Sequence, residues 1–293
     1  MAFARRVEDL GFDSLRISDH FGARPAIAPA LVLAAEATSR LRVGSFVYDN
    51  DFRHPALLAQ EVATIDLLTE GRFEFGIGAG WLKSEYDAAG LRFDPGGTRV
   101  ERLTEAVQLI KQLLTGDPVT FTGRHYQVKA LTAGFKTVQQ PHPRLTIGGG
   151  GRRLITLAAR EADVVSLMPR SRADGSGLDL ADATEDVFAL KLSWIKQAAA
   201  DRFPALELNT LVQAVIITDD RDAAARALSA KWKQPAEELP AEQLLVSPLV
   251  LIGSVEEIAA VLQRRREQLG ISSITVFERD LDSFAQVIER IAR

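Results

Sequence analysis

Short apolar runs typical of buried strands alternate with amphipathic helical patterns along the whole chain. The strand-like runs cover residues 14–17, 41–47, 72–77, 145–147, 164–166, 211–217 and 273–277, and helical segments separate them. Strands joined through helices pair in parallel rather than as hairpins, so the alternation predicts a parallel α/β sheet covered by helices. A closed (β/α)8 barrel and an open doubly wound sheet both satisfy this pattern.

Residues suited to ligand binding follow the C-terminal ends of several predicted strands. They are Asp19 with His20, then residues 46–49, 78–81 and 148–151, and Ser166. An open sheet gathers such residues at one switch point, whereas a barrel collects them from many strands around one rim. The distribution therefore favours the (β/α)8 barrel, although only seven strands are predicted and a barrel needs eight.

Four consecutive glycines, Gly148 to Gly151, lie between the apolar run 145–147 and a helical pattern that begins near Arg152. Glycine lets the backbone approach a ligand closely, and a helix N-terminus offers free N–H groups and a positive dipole end. The run predicts a phosphate site, to which Arg152 or Arg153 adds a charge. It matches neither a Walker loop nor a G-x-G-x-x-G fingerprint, and a tight strand-to-helix turn is the alternative interpretation.

The amino-acid composition excludes several classes of function. The 293 residues carry a net charge of −4 and include no cysteine. Mild acidity argues against a nucleic-acid partner, and the missing cysteines exclude thiolate chemistry and fit a cytoplasmic location. The four histidines lack the spacing of metal ligands, and no apolar run is long enough to span a membrane. A small molecule is therefore the expected partner, and no metal is expected.

We predict one domain over residues 1–293 with three interruptions. Residues 117–135 have the turn residues and alternation of a hairpin, and the polar segment 170–184 reads as a mobile loop at the catalytic rim. Residues 231–248 begin with an irregular connection. Two pairs have the spacing of a capping box at a helix start: Thr98 with Glu101, and Ser254 with Glu257.

Motifs spread over nearly the whole chain resemble those of bacterial luciferase-like oxidoreductases. They occur in order at residues 10–15, 18–20, 38–44, 52–56, 70–73, 76–81, 85–86, 140–143 and 158–163. The Gly-Ala-Gly-Trp run at 78–81 and the short stretches at 247–248 and 252–254 are most similar to the branch that uses the deazaflavin coenzyme F420.

The resemblance implies a (β/α)8 barrel of the luciferase-like type with the coenzyme ring in its mouth. It implies that residues 148–151 and Arg152 bind the coenzyme phosphate, while Gly80 and a cis peptide at Phe46–Val47 lie against the ring. Members of this family commonly form homodimers through early helices, which here include the helix beginning at Pro55.

The resemblance also implies roles for single side chains. Asp19 and His20 are expected beside the ring, where His20 either donates a proton to the group that receives the hydride or orients that group. From its position next to His20, Asp19 is predicted to fix the tautomer of the histidine or to raise its basicity, and capping of the following segment is the alternative. Ser166 is expected to line the substrate pocket, and Trp81 is expected either to line it or to stack on the coenzyme. Glu85, with the tyrosine after it, is assigned to a helix start without a catalytic role.

The chain departs from the family pattern at two places. Family members begin with a strand before their first helix, which here starts at Ala2, so we expect that the first β-strand is lacking because the start codon is misplaced. The glucose-6-phosphate dehydrogenases of the family carry a glutamate acid where this chain has Trp81. That difference argues against a sugar-phosphate substrate.

These observations favour hydride transfer between F420 and a small organic substrate. An FMN-dependent monooxygenase of the same fold, supplied by a separate reductase, stays open because both coenzymes carry a phosphate at the glycine loop. A catalytically inactive protein that binds a flavin or deazaflavin is the third hypothesis. An aldolase would need a Schiff-base lysine at a strand end, and no predicted strand ends in one.

Overall fold

The computed structural model describes residues 1–22, 24–232 and 239–292. They form two compact units. The first contains residues 1–148, 161–163 and 173–177, and the second contains residues 149–160 and 164–172 and the described residues from 178 onward. No described helix has both the length and the apolar character that crossing a membrane requires.

The first unit is a parallel sheet with a short antiparallel hairpin. Its strands are β1 (Ser14–Ile17), β2 (Arg42–Ser45), β3 (Tyr48–Asp49), β4 (Phe73–Gly78), β5 (Val119–Thr122), β6 (Gln127–Leu131) and β7 (Arg144–Gly149). Its helices are α1 (Ala2–Asp9), α2 (Ile27–Glu36), α3 (Pro55–Leu68), α4 (Lys83–Ala89) and α5 (Gly96–Leu113). β2 pairs with β1 and β4, and β4 pairs with β3 and β7, all in parallel.

The middle of this sheet is β4, whose six residues are all buried. Phe73, Phe75 and Ile77 pack into the core, where each buried side chain of this size stabilises the fold by roughly 1.5–3 kcal/mol. α3 covers the sheet with Leu58 and other apolar residues and starts at a proline, as predicted.

A buried charge cluster also ties β4 to its neighbours. Glu74 of β4 accepts hydrogen bonds from Arg16 of β1 at 2.9 Å and from Arg42 of β2 at 3.0 Å. Burial raises the pKa of Glu74, but the two guanidinium groups outweigh that effect and hold the pKa below its ordinary value. The carboxylate stays ionised and links three parallel strands.

The second unit is also built from parallel strands and helices. Its strands are β8 (Val164–Leu167), β9 (Glu207–Leu211), β10 (Ala214–Ile217), β11 (Val250–Gly253) and β12 (Ile271–Thr275). Its helices are α6 (Arg152–Glu161), α7 (Glu185–Ala199), α8 (Arg221–Trp232), α9 (Ala241–Val246), α10 (Val255–Leu269) and α11 (Leu281–Ala292). β9 pairs with β8 and β12, and β10 pairs with β11.

Several local predictions are confirmed. β5 and β6 form the hairpin expected within residues 117–135. Ser254 and Glu257 make both bonds of a capping box at the start of α10. Segment 170–184 contains a bridge between Ser171 and Leu178 and a short 3-10 turn, and its mobility at a catalytic rim stays a prediction. Within 231–248, residues 233–238 lie outside the described residues, and α8 and α9 flank them.

Two local predictions are wrong. Thr98 does not cap a helix, because α5 already begins at Gly96 with Pro95 as its N-cap. Residues 211–217 are not one strand, since β9 ends at Leu211 and β10 begins at Ala214. The continuous apolar run hides that break, and the sequence reading missed β11, the partner of β10.

Candidate active site

In the first unit, a histidine and a carboxylate from separate elements form a close pair. His20 follows β1, and Glu85 lies in the first turn of α4. The Nδ1 atom of His20 lies 2.8 Å from Oε2 of Glu85, and both side chains are partly buried, at 24% and 16% exposure. Within the described parts of the chain, the other ring nitrogen of His20 has no hydrogen-bond partner. His20 can therefore exchange a proton there with a bound molecule.

Asp19 does not fix the tautomer of His20, so that prediction is wrong. Its two carboxylate oxygens accept hydrogen bonds from Arg53 at 2.6 and 3.2 Å, and one also accepts the amide N–H of Asp49 at 3.0 Å. Neighbouring side chains leaving a strand point in different directions, which separates Asp19 from the imidazole of the next residue. Asp19 instead holds β3 and Arg53 in place behind the histidine.

Trp81 and Gly80 lie where β4 leads into α4. The Trp81 ring meets the His20 ring edge-on, with 6.0 Å between centroids, so these two predicted site residues are brought together. Gly80 has a φ of 72°, and a Cβ there would collide with the Tyr86 hydroxyl and the Asp49 carboxylate. Gly80 is therefore required for the packing of this corner.

A buried carboxyl group lies behind Gly80. Asp49 accepts the Tyr86 hydroxyl at 2.8 and 2.9 Å and the Asp51 amide at 2.9 Å. Burial, helped by the nearby charges of Asp51 and Asp19, raises the pKa of Asp49 to about 7. Asp51 is paired differently, through two 2.7 Å hydrogen bonds from Arg102.

The raised pKa of Asp49 predicts a pH-dependent stability. Between the ordinary carboxyl pKa of 3.8 and about 7, the folded protein binds a proton that the unfolded chain releases. The free energy of unfolding therefore falls as pH rises through this window. Asp49→Asn should remove the effect, so the free energy of unfolding of the variant relative to wild type should rise by about 2–3 kcal/mol from pH 5 to pH 8. Urea unfolding at both pH values measures this, and parallel curves for the two proteins would contradict it.

The peptide bond Phe46–Val47 is cis, as the family resemblance implies. It lies between β2 and β3. Glycines of β4 face it: a Cβ at Gly76 would overlap the Ser45 carbonyl oxygen, and one at Gly78 would lie 2.8 Å from a methyl of Val47. Without side chains at these two positions, β4 leaves room for the backbone bulge.

The second unit contains most of the glycine loop. A Cβ at Gly150 would overlap the backbone of residues 168–170, whereas one at Gly151 would meet nothing within 4 Å. Among the described residues, nothing accepts a hydrogen bond from the amides of Gly151 and Arg152, which open α6. Two free amides at a helix N-terminus are suited to an anion. The Arg152 guanidinium lies 5.6 Å from the centre of the Trp194 ring.

Ser166 of β8 belongs to a buried network in the same unit. Its hydroxyl donates to the Asn209 side chain at 2.8 Å, and Asn209 donates in turn to the hydroxyls of Ser273 and Thr275 at 3.0 Å. Ser166 is only 1% exposed. Its predicted role in a substrate pocket stays a prediction.

The sequence placed Asp49 among the residues suited to ligand binding, but it assigned no site role to Glu85 and Tyr86 and did not predict the pairing of Arg53 with Asp19. Glu85 and Tyr86 belong to one of the family motifs, but the start of a helix accounted for both residues without a role in the site. Their contacts join residues as far apart in sequence as 20 and 85, so only the tertiary structure reveals them. No group of side chains suited to holding a metal ion occurs among the residues that the structure describes.

Comparison with known proteins identifies the family. Residues 1–273 match the model of the luciferase-like monooxygenase family. The chain belongs to this family. The F420-dependent glucose-6-phosphate dehydrogenase of Amycolatopsis mediterranei is 30% identical over 284 residues, which cover 88% of this chain and 82% of the relative. The enzyme of the same name from Kineococcus radiotolerans is 32% identical over 283 residues, with 88% and 81% covered.

This luciferase-like protein has the fold of solved F420-dependent enzymes. An F420-dependent secondary alcohol dehydrogenase, solved with an F420–acetone adduct, superposes with a TM-score of 0.74 at 20% identity. The match covers 98% of this chain and 93% of that protein. The parallel α/β architecture predicted from the alternating pattern is confirmed.

Proposed function

We propose that this protein transfers a hydride between coenzyme F420 and a small alcohol or carbonyl compound. The observation that carries the proposal is similarity along most of the chain to two relatives that both bear the name of F420-dependent dehydrogenases. The closed (β/α)8 barrel and the homodimer implied by the family resemblance are parts of the same proposal.

The glycine loop fits the phosphate of such a coenzyme. Gly151 has open space where a side chain would be, and the free amides of Gly151 and Arg152 add to the positive end of the α6 dipole. Both features favour an anion held by the backbone. When bound, F420 supplies the group that accepts or donates the hydride.

The protein must then handle the proton that accompanies the hydride. In alcohol oxidation, the carbon–hydrogen bond breaks with its electron pair leaving as hydride, and the hydroxyl proton must leave the oxygen. Nε2 of His20, which has no partner among the described residues, accepts that proton in our proposal. In carbonyl reduction, the same nitrogen returns it, so that atoms and charges balance in both directions.

The side chains near His20 favour an uncharged substrate. Trp81 contacts its ring, and Phe21, the next residue in the chain, is 52% exposed and packs on Phe52 with 4.7 Å between ring centres. The guanidinium of Arg53 is paired with Asp19, the residue before His20. These surroundings offer a substrate apolar contact and a proton.

Fluorescence titration with F420 and, in parallel, with FMN tests the coenzyme. Micromolar binding of F420, with much weaker binding of FMN, is the expected result. Tight binding of FMN instead would support the monooxygenase alternative. A screen of alcohols and ketones, with glucose 6-phosphate included, then separates a catalyst from an inactive binding protein through absorbance of the reduced and oxidised coenzyme.

A further inference from the structure

We propose that Glu85 is a positioning residue that fixes the ring of His20 and determines which of its nitrogens carries the proton. The inference rests on the proposed function for its kinetic consequence, but its structural content concerns only this protein's own side chains. From the sequence alone, Glu85 was assigned only to the start of a helix.

The pair leaves one choice of donor and acceptor. An ionised carboxylate accepts hydrogen bonds and has no proton to donate, so the 2.8 Å contact requires a hydrogen on Nδ1 of His20. A neutral imidazole carries one proton, and Nε2 must then present its lone pair. Glu85 thus selects the tautomer in which Nε2 is ready to accept a proton.

Glu85 is available for this role because no other described group uses its carboxylate. His20 is its only side-chain partner within the described residues. The cation nearest in sequence, Lys83, bonds instead to Asp87, one turn further along α4. At 16% exposure, the Glu85 carboxylate is also largely shielded from water, which strengthens its interaction with the imidazole.

The start of α4 is held in place from outside the helix. Its N-cap is Leu82, whose side chain makes no capping bond. The amide of Lys83 donates instead to the carbonyl oxygen of Gly175 at 3.2 Å. Gly175 has a φ of 71°, and a Cβ there would lie 2.7 Å from Cβ of Lys83. This close contact fixes the first helical turn, and with it the direction in which Glu85 points.

Trp81 and Glu85 both contact the ring of His20. Where related glucose-6-phosphate dehydrogenases are expected to have a glutamate acid, this chain has an aromatic ring against His20. The carboxylate that contacts the histidine comes from four residues later in the chain. A carboxylate bound to Nδ1 orients the imidazole and stabilises its protonated form.

Glu85→Gln tests the kinetic role, because it removes the charge with little change in shape. We expect kcat to fall by about 10- to 100-fold, as for other groups that orient a catalytic histidine, and the pH profile of kcat to shift. KM and the Kd for F420 should stay within about twofold. Asp87→Asn is the matched control, since it removes the same charge from an exposed pair on the same helix. Wild-type kcat with an unchanged pH profile in Glu85→Gln would overturn the proposal.

Nitrogen-15 NMR of the His20 ring provides a readout that needs no coenzyme. In the wild-type protein above neutral pH, the ring should be protonated on Nδ1, and His20→Asn assigns the signals by their loss. Glu85→Ala should return the ring to the Nε2-protonated form that free histidine prefers in water. The same tautomer in both proteins would refute the role of Glu85, even if the protein turns out to use a coenzyme other than F420.

Discussion

Replacing His20 by asparagine is expected to lower kcat by about 10²- to 10⁴-fold, the usual contribution of a general acid or base. Asparagine can still bond to Glu85, but it cannot take a proton from the substrate at neutral pH. Because asparagine is smaller than histidine and can keep the hydrogen bond to Glu85, the substitution should change folding little. Coenzyme binding should persist, because the phosphate contacts proposed for residues 151 and 152 are untouched.

His54→Asn is the matched control for this experiment. Nδ1 of His54 accepts the Ala56 amide at 3.1 Å and so caps α3, and asparagine is also a good N-cap. Its kcat should stay close to that of the wild-type protein. Steady-state kinetics with titrated F420 measures both variants, and full turnover in His20→Asn would remove the histidine from the mechanism.

Gly151→Val is expected to weaken coenzyme binding by about 100-fold or more, with folding largely preserved. A side chain at residue 151 meets no protein atom within 4 Å, so it enters the space in front of the free amides rather than the core. There it would prevent a phosphate from reaching the amides, and a loss of about 2.7 kcal/mol of binding free energy corresponds to that factor. Valine is a poor N-cap, and we expect a stability loss of about 1 kcal/mol.

Gly177→Val is the comparison variant, because a Cβ there also meets nothing within 4 Å and residue 177 belongs to neither the glycine run nor α6. Its Kd for F420 should match that of the wild-type protein. Thermal unfolding measures the stability of both variants, and fluorescence titration measures their Kd. If Gly151→Val binds F420 at full strength, the phosphate is bound elsewhere and the role given to this loop is wrong. Gly150 is unsuitable for this test, since a Cβ there would overlap the backbone.

Local sequence signals predicted many of the elements. β1 occupies the predicted residues 14–17, and α3 begins at Pro55 as expected. Prediction failed where no local signal marked the end of a strand. The apolar run 211–217 has no turn residue to mark its break, so the division between β9 and β10 depends on separate strand partners, β8 and β12 for one and β11 for the other.

Some residues of the candidate site were predicted from the sequence, and their contacts were not. The sequence identified His20, Trp81 and the glycine loop, because each belongs to a motif or to an unusual run of residues. It paired His20 with the wrong carboxylate. Asp19 is adjacent to His20 in sequence, but its oxygens accept hydrogen bonds from Arg53 and the Asp49 amide. The carboxylate that contacts His20 is that of Glu85 in α4.

By itself, then, the sequence determined the parallel α/β class, the family and the residues at the ends of strands. These follow from periodicity and from motifs, which are properties of short segments. Only the tertiary structure decided which carboxylate holds the histidine and which carboxyl group is buried enough to keep its proton near neutral pH. Both depend on contacts between residues distant in the chain, such as His20 with Glu85 and Asp49 with Tyr86, which no local pattern encodes.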